Sequence, residues 1–303
     1  MDKIIDKIIS SNKNLFGKNP FVEKINVGFT NTIYCVNNTY IVKVCTNLSN
    51  EDNFKREIDF YNLNKLNTFI PKLYYSNTSK EVVPYFYEIL EKINGVSLFN
   101  VWHIYSEEQR ENIIKQLCDF IKQMHKNKGN SYNWSNYMKN EFNSLYKKIK
   151  ELNVFNEDEN LLLKQAFNEF DKYLESNEFV LIHNDLHFDN IFINNGKIKI
   201  IDFERSMYAP RDFELDILYR MIRKPWKFAS EETERYTEAS QYLNIMLYIN
   251  KYYPEIVNIP NLYKRLAIYD IIYYMNQLLE YPHLAELKHD IISAVKIVIF
   301  NEI

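Results

Sequence analysis

A polar segment of the sequence stands between two apolar runs and holds several side chains that can do chemistry. Asp185 and Asn190 belong to this segment, and Asp202 follows the next apolar run. Amide and carboxylate oxygens are hard ligands that suit Mg²⁺, so Asn190 and Asp202 are candidate metal ligands. A further carboxylate can accept a proton from an attacking hydroxyl group or orient it, which makes Asp185 a candidate catalytic residue. His183 comes just before it and is expected to brace the loop.

The runs on either side of this segment predict the strands that position it. Their β-branched and aromatic residues predict strands at 179–182, 191–193 and 197–203. Asn195-Gly196 is a typical tight turn, so the last two strands should pair as a hairpin and bring the loop that holds Asp185 and Asn190 next to Asp202. The alternative is a polar loop with incidental carboxylates, but that interpretation leaves polar side chains beside apolar strands without a physical reason.

A lysine and a glutamate in the first third of the chain predict a second charged site. Lys43 stands in the apolar run Ile41–Val44, where a charge is costly without a partner. Glu57 lies on the same helical stripe as Phe54 and Ile58 and is therefore expected to face the sheet. We expect an ion pair between the two, with Lys43 free to reach ligand phosphates. Each residue alone would more commonly be a surface residue whose charged end reaches solvent.

Two kinds of pattern follow one another along the chain. Up to about Gly95 the predicted elements are short: strands at 33–36 and 40–44 around the turn Asn37-Asn38, a helix at 53–66, and strands at 72–75 and 82–90. Beyond it helices predominate: one capped by Ser106 and extending to Met124, others at 135–152 and 157–176, and more after Pro210. This order predicts an α+β fold with a small antiparallel-sheet lobe at 1–92 and a larger, mostly helical lobe at 93–303.

The composition excludes several other classes of protein. The 303 residues carry a net charge of −3, which argues against nucleic acid as a partner. The five glycines are widely spaced, so neither the dinucleotide fingerprint nor the P-loop is present. The three cysteines are too few and too scattered for a disulfide framework or a zinc site. With no signal peptide and no apolar run of the ~18 residues that cross a membrane, we expect a cytoplasmic protein without a membrane partner.

Taken together, these residues resemble the aminoglycoside phosphotransferase family, which also contains choline, methylthioribose and homoserine kinases and has a bilobal protein-kinase-like fold. The resemblance covers about residues 20 to 220. It rests on the run His183 to Asn190, on Asp202-Phe203-Glu204, on Lys43 and Glu57, and on the loop Gly28-Phe29-Thr30-Asn31. The activation loop of a protein kinase does not fit, because only six residues separate Asp202 from Ala209.

The resemblance implies a role for each of these residues. Asp185 would be the catalytic aspartate, and Asn190 and Asp202 would hold Mg²⁺. Lys43, paired with Glu57, would contact the α- and β-phosphates of ATP or GTP. The remaining nucleotide contacts would come from Gly28, Thr30 and Asn31 in the loop over the phosphates and from Glu91 and Ile93 at the hinge beside the purine.

The implied acceptor is a small hydroxylated molecule, and the acidic residues after Asp202 favour a cationic one. Glu204, Asp212 and Trp226 are its candidate contacts, although Asp212 can instead brace the helix that follows. Arg211 stands where the family commonly has glycine. An aminoglycoside, with antibiotic resistance as the role, is the first candidate, and choline or another small metabolite is the alternative. A second alternative is a non-catalytic regulator that binds nucleotide, whereas a purely structural helical protein would not explain the polar segment.

Overall fold

The computed structural model describes residues 3–25 and 31–300 and divides into two compact units. The first unit comprises Met1–Ile104 with Phe188–Ser206, and the second comprises Tyr105–His187 with Met207–Ile303. The chain therefore returns to the first unit with the segment that carries Asn190 and Asp202. The division expected from the sequence, 1–92 and 93–303, does not include this return.

The bounds of the elements within the described residues are as follows. The strands, β1 to β11, are Val22–Ile25, Thr32–Val36, Tyr40–Val44, Leu73–Asn77, Tyr87–Glu91, Val96–Ser97, Lys128–Gly129, Phe179–Ile182, Ile191–Asn194, Lys197–Ile200 and Met207–Ala209. The α-helices, α1 to α13, are Lys3–Ser11, Lys13–Phe16, Glu51–Leu63, Leu98–Val101, Glu107–Met124, Trp134–Glu151, Glu157–Asn168, Phe170–Tyr173, Leu215–Arg223, Ile245–Tyr252, Pro254–Val257, Leu262–Glu280 and Ala285–Phe300.

A five-stranded antiparallel sheet of order β1-β2-β3-β5-β4 is the main element of the first unit. The sequence predicts an antiparallel sheet here with four of these strands, without β1. Asn37, Asn38 and Thr39 join β2 to β3, and the two asparagines have φ angles of 54° and 52°. This left-handed backbone is the one that the two central residues of a tight hairpin turn need and that asparagine tolerates. The register places Lys43 of β3 opposite Glu88 of β5. The strand expected at 82–90 is shortened to β5, because Pro84 has no N–H to donate to the ladder.

Helix α1 completes the apolar core of the first unit and is absent from the sequence-based expectation. Its residues Ile5, Ile8 and Ile9 are buried in one cluster with Val42 and Ile89 of the sheet. Isoleucines that recur three and four residues apart indicate such an amphipathic helix. The charged residues between them break up the apolar run without breaking this spacing.

A second antiparallel sheet of the first unit, of order β10-β9-β6, carries the polar segment's hairpin. Strands β9 and β10 are the predicted pair, and their turn residues Asn195 and Gly196 have φ angles of 49° and 74°. Gly95 lies directly against β9, where a Cβ atom would stand 2.8 Å from the carbonyl oxygen of Ile193. Glycine at this position therefore allows β6 to pair closely with the hairpin.

The second unit is mostly helical, with one small antiparallel sheet of order β11-β8-β7. Helix α5 begins at a capping box of Ser106 and Gln109, in agreement with the predicted cap. The helix expected at 157–176 is two helices, α7 and α8. All four residues of β8 are buried, and this strand leads into the loop of Asp185. Among the described residues, no helix has both the length and the apolar character needed to span a membrane.

Candidate functional site

Lys43 on β3 forms the predicted ion pair with Glu57. Its Nζ atom donates to Glu57 Oε2 at 2.5 Å, and both side chains are buried. Glu57 reaches the lysine because it shares the buried face of α3 with Phe54 and Ile58. Its second carboxylate oxygen accepts from the backbone N–H of Phe203 at 3.3 Å. The pair thereby links the sheet, helix α3 and the segment after β10.

Two further carboxylates face the same lysine. Lys43 Nζ lies 2.8 Å from Glu204 Oε1 and 3.6 Å from Asp202 Oδ1. Carboxylate oxygens of Glu57, Asp202 and Glu204 lie within 4.8 Å of one another. Asp202 has a φ of 67°, and its side chain remains 44% exposed. We call Lys43 and these three carboxylates the lysine cluster.

Charges are unevenly balanced in the lysine cluster. Burial alone lowers the pKa of Lys43, but the surrounding carboxylates, Glu57 first, outweigh burial and raise that pKa well above its ordinary value. Burial raises the pKa of Glu57, and the charge of Lys43 opposes this rise. Burial, followed by the neighbouring Glu57, also raises the pKa of Glu88 well above its ordinary value. The surroundings therefore favour the cationic form of Lys43 and disfavour ionisation of Glu88.

Glu204, expected to contact the acceptor, lies in the lysine cluster. Asn31 Nδ2 donates to its Oε1 at 2.5 Å, and Asn50 Nδ2 donates to its Oε2 at 2.8 Å. Arg56 donates to its backbone carbonyl at 3.2 Å. The structure thus brings Glu204 together with Lys43 and Asn31, which the sequence assigns to the nucleotide. Its contact with an acceptor stays a prediction.

The two predicted metal ligands lie at the two ends of the β9–β10 hairpin. Asn190 ends the short 3-10 turn before β9, and Asp202 follows β10. The backbone N–H of Ile201 donates to the carbonyl oxygen of Asn190 at 3.0 Å. This bond confirms that the two ends lie side by side. The metal ligands that these two side chains offer are an amide oxygen and a carboxylate, and Mg²⁺ prefers such oxygen ligands.

The predicted phosphate loop and hinge are described in part. Gly28 and Thr30 lie outside the described residues. Glu91 ends β5, and its carboxylate accepts from Lys199 Nζ at 3.2 Å. Ile93 is half-buried in the segment between β5 and β6. The contacts of this segment with a purine stay a prediction.

In the second unit, Asp185 follows β8 on a loop that hydrogen bonds hold from within. The backbone N–H of Asp185 donates to Nδ1 of His183 at 3.2 Å. The backbone N–H of His183 donates to Oε2 of Glu214 at 2.9 Å. Asn184 adopts a φ of 60°, which asparagine tolerates. His183 is therefore the predicted brace, and the Asp185 side chain is 23% exposed.

A buried polar chain behind His183 has no counterpart in the sequence-based expectation. Glu214 is 1% exposed, and its Oε2 lies 3.7 Å from Nε2 of His125. The other ring nitrogen of His125 lies 2.8 Å from the Tyr253 hydroxyl group. Burial raises the pKa of Tyr253 to about 12, so the phenol stays neutral. In the sequence, the one sign of these buried polar contacts is His125, an isolated histidine at the end of an apolar helical stripe.

Asp212 and Trp226, the other candidate acceptor residues, differ in exposure. Asp212 is 1% exposed, and its two oxygens accept from Arg265 at 2.7 and 2.8 Å and from the Tyr269 hydroxyl group at 2.8 Å. These bonds tie Asp212 to helix α12, and its contact with an acceptor stays a prediction. Trp226 is 43% exposed in the 3-10 turn after α9, and its contact with an acceptor stays a prediction.

The sequence matches one protein family over most of its length. The sequence model of the phosphotransferase enzyme family covers residues 22–245. No curated protein sequence matches the chain.

The fold is similar to that of aminoglycoside phosphotransferases. ADP-bound APH(2'')-Ib matches with a TM-score of 0.66 at 16% identity, over 99% of this chain and 100% of that one. The gentamicin complex of APH(2'')-IIa matches with a TM-score of 0.66 at 16% identity, over 100% of this chain and 97% of that one. At these identities the similarity shows the fold, and it confirms the predicted α+β, protein-kinase-like architecture. With the match over residues 22–245, it follows that the chain is a phosphotransferase and belongs to the phosphotransferase enzyme family.

Proposed function

We propose that this phosphotransferase moves the γ-phosphate of ATP or GTP to a hydroxyl group of a small cationic molecule, with an aminoglycoside as the first candidate. The observation that carries the proposal is the lysine cluster, in which Lys43 Nζ lies 2.5 Å from Glu57 and 3.6 Å from Asp202. Phosphoryl transfer needs positioning and charge stabilisation more than covalent chemistry, and a fixed lysine beside a carboxylate ligand set supplies both.

Lys43 is the residue proposed to bind the α- and β-phosphates. Its raised pKa keeps it cationic, and Glu57 fixes its direction from helix α3. The remaining nucleotide contacts are assigned to Gly28, Thr30 and Asn31 before β2 and to Glu91 and Ile93 after β5. The ADP in the similar structure of APH(2'')-Ib supports a nucleotide as the donor.

Asn190 and Asp202 are proposed to hold Mg²⁺. When bound, the ion supplies positive charge that stabilises the charge developing on the phosphate oxygens. The hairpin fixes both residues through the bond between Ile201 and Asn190. Asp202 keeps its carboxylate partly exposed, so a ligand can reach it.

Asp185 is proposed to accept a hydrogen bond from the acceptor's hydroxyl group and to orient that group for in-line attack. The loop bonds to His183 and Glu214 hold its backbone before any ligand binds. A carboxylate fixed in advance needs little rearrangement during the reaction, and such positioning is a large part of catalysis.

The most specific part of the proposal is the class of molecule that accepts the phosphate. Exposed Trp226 offers an aromatic face that attracts a cation. The similar structures hold gentamicin in APH(2'')-IIa and kanamycin with GDP in a third aminoglycoside 2''-phosphotransferase. We therefore place an aminoglycoside before choline or another small metabolite, and we propose antibiotic resistance in the cytoplasm as the role.

The test is transfer of γ-labelled phosphate from ATP or GTP, with Mg²⁺, to a panel of acceptors. The panel holds several aminoglycosides, choline and simple amino alcohols, and products are identified by mass spectrometry. We expect a phosphorylated aminoglycoside with the wild type and none with Asp185→Ala. Asp119→Ala is the matched control, because Asp119 is an exposed aspartate on α5 of the same unit.

The other outcomes separate the alternatives. Phosphorylation of choline or an amino alcohol alone would move the chain to the metabolite kinases. Nucleotide binding without transfer to any acceptor would favour a regulatory protein. Equal loss of transfer in Asp119→Ala and Asp185→Ala would remove the evidence for a specific catalytic aspartate.

A further inference from the structure

Glu204 binds two side-chain donors that the proposed function assigns to the nucleotide. Its Oε1 atom accepts from Lys43 Nζ at 2.8 Å and from Asn31 Nδ2 at 2.5 Å. Asn31 is the last residue of the predicted phosphate loop and lies within the described residues, and Lys43 is the proposed phosphate lysine. One carboxylate oxygen therefore stands where these two donors converge.

The carboxylate of Glu204 is held in this place from a second direction. Its Oε2 accepts from Asn50 Nδ2 at 2.8 Å, and Arg56 donates to its backbone carbonyl at 3.2 Å. The residue is 8% exposed. The carboxylate accepts from three side chains, those of Lys43, Asn31 and Asn50. Hydrogen bonds to a charged acceptor are stronger than those between neutral groups, so these three define the position of an anion.

We infer that Glu204 occupies the phosphate-binding donors as an internal anion, and that nucleotide phosphates must displace its carboxylate from Lys43 and Asn31 or share those donors with it. This inference rests on the proposed function. It assigns Glu204 to control of nucleotide affinity, whereas the sequence assigned it to the acceptor. A carboxylate and a phosphate both present anionic oxygens, so the same amide and ammonium groups serve either one.

The charge around Lys43 determines the sign of the effect. One ammonium group faces three carboxylates, those of Glu57, Asp202 and Glu204, within 3.6 Å. Glu57 is needed to orient the lysine, and Asp202 is the proposed metal ligand. Glu204 is the member whose negative charge competes with phosphate and has no assigned part in binding it. Removing that charge should therefore strengthen binding of an anion.

The experiment measures binding of ADP by titration calorimetry, first with a chelator and then with Mg²⁺. Without metal, we expect Glu204→Gln to bind ADP about tenfold more tightly than the wild type, because one nearby negative charge is lost. Glu81→Gln is the matched control, since it removes the same charge from an exposed site of the same unit. We expect its affinity for ADP to equal that of the wild type.

A second variant covers the case in which Glu204→Gln does not fold. Asn50→Ala removes the donor on Oε2 and leaves Lys43 and Asn31 unchanged, so the carboxylate is held less firmly. We expect a smaller gain in metal-free affinity, about threefold, which corresponds to losing part of one hydrogen bond.

The outcomes distinguish this inference from the proposed function. Unchanged or weaker binding of metal-free ADP by the folded variants, with the wild type still binding, would overturn the role of Glu204 alone. A gain in Glu81→Gln equal to that in Glu204→Gln would also overturn it, because the effect would then be one of general charge. Failure of the wild type to bind ADP with or without Mg²⁺ would contradict the proposed function itself.

Discussion

Lys43 in the first unit and Arg265 in the second are both buried cations, and their surroundings differ. Arg265 binds both oxygens of Asp212, at 2.7 and 2.8 Å, and donates to the backbone carbonyl of Tyr173 at 2.6 Å. One guanidinium group therefore meets one carboxylate and several neutral acceptors, among them the backbone carbonyl of Glu175 at 3.2 Å. Planar, bidentate pairing of this kind satisfies both partners.

In the lysine cluster, by contrast, carboxylates outnumber the cation. Lys43 faces the carboxylates of Glu57, Asp202 and Glu204, and Glu88, whose pKa burial raises, lies opposite it on the neighbouring strand β5. Glu57 and Glu204 are buried beside this one ammonium group, and surplus buried negative charge does not help the fold, because an unpaired charge loses its hydration. A satisfied one-to-one pair serves the structure, whereas an unbalanced cluster indicates a place prepared for a ligand that brings its own charge.

The first prediction uses a charge-conserving exchange at Lys43. Lys43→Arg keeps the positive charge but replaces a compact ammonium group by a planar fork, which cannot take the same position between Glu57 and the phosphates. We expect kcat/KM for the nucleotide to fall by about a hundredfold or more, as misplacement of a positioning group does. The free energy of unfolding, from urea denaturation, is expected to change little. A variant with wild-type turnover would show that the position of the ammonium group is unimportant.

The second prediction applies the reverse exchange to Arg265. Arg265→Lys keeps the charge but loses the bidentate contact with Asp212. We expect the free energy of unfolding to fall by about 2 kcal/mol, because at least one charge-assisted hydrogen bond is lost in a buried place. Activity per folded molecule should stay at the wild-type level. If activity fell while stability held, the contrast between the two cations would fail.

The third prediction concerns pH and Glu88. Burial raises the pKa of Glu88 above its ordinary value of 4.5, so the folded state keeps a proton that the unfolded state releases. The free energy of unfolding should therefore fall as pH rises above 4.5. Glu88→Gln is neutral at every pH and should remove this part of the slope, at most about 1.4 kcal/mol per pH unit.

The measurement compares urea denaturation of the wild type and Glu88→Gln at about pH 5.5 and about pH 8.5. Because the charge of Glu57 also acts on Glu88, the difference between the two slopes reports on Glu88 together with its effect on the titration of Glu57. Identical slopes would mean that Glu88 is ionised in the folded state, and the charge balance described for the lysine cluster would be wrong.

Local patterns in the sequence predicted the ion pair and the hairpin. Lys43 interrupts an apolar strand and Glu57 lies on a buried helical stripe, so each residue's neighbours reveal its direction. Asn195 and Gly196 mark the turn that brings Asn190 beside Asp202. In each case the information lies within a few residues or in one regular element.

Contacts between distant segments could not be predicted in this way. Glu204 meets Asn31 and Asn50, which lie 173 and 154 positions away along the chain. His125 and Tyr253 are 128 positions apart. In the sequence, such polar side chains look like ordinary surface residues. The folded structure is needed to show which of them are buried in contact with one another.

The central claim is that Asp185 acts on the acceptor while Lys43 serves the nucleotide. One measurement tests it: a comparison of nucleotide affinity and phosphate transfer in Asp185→Ala. We expect transfer to be abolished while the dissociation constant for the nucleotide stays close to that of the wild type. Lost nucleotide affinity with preserved turnover would contradict it.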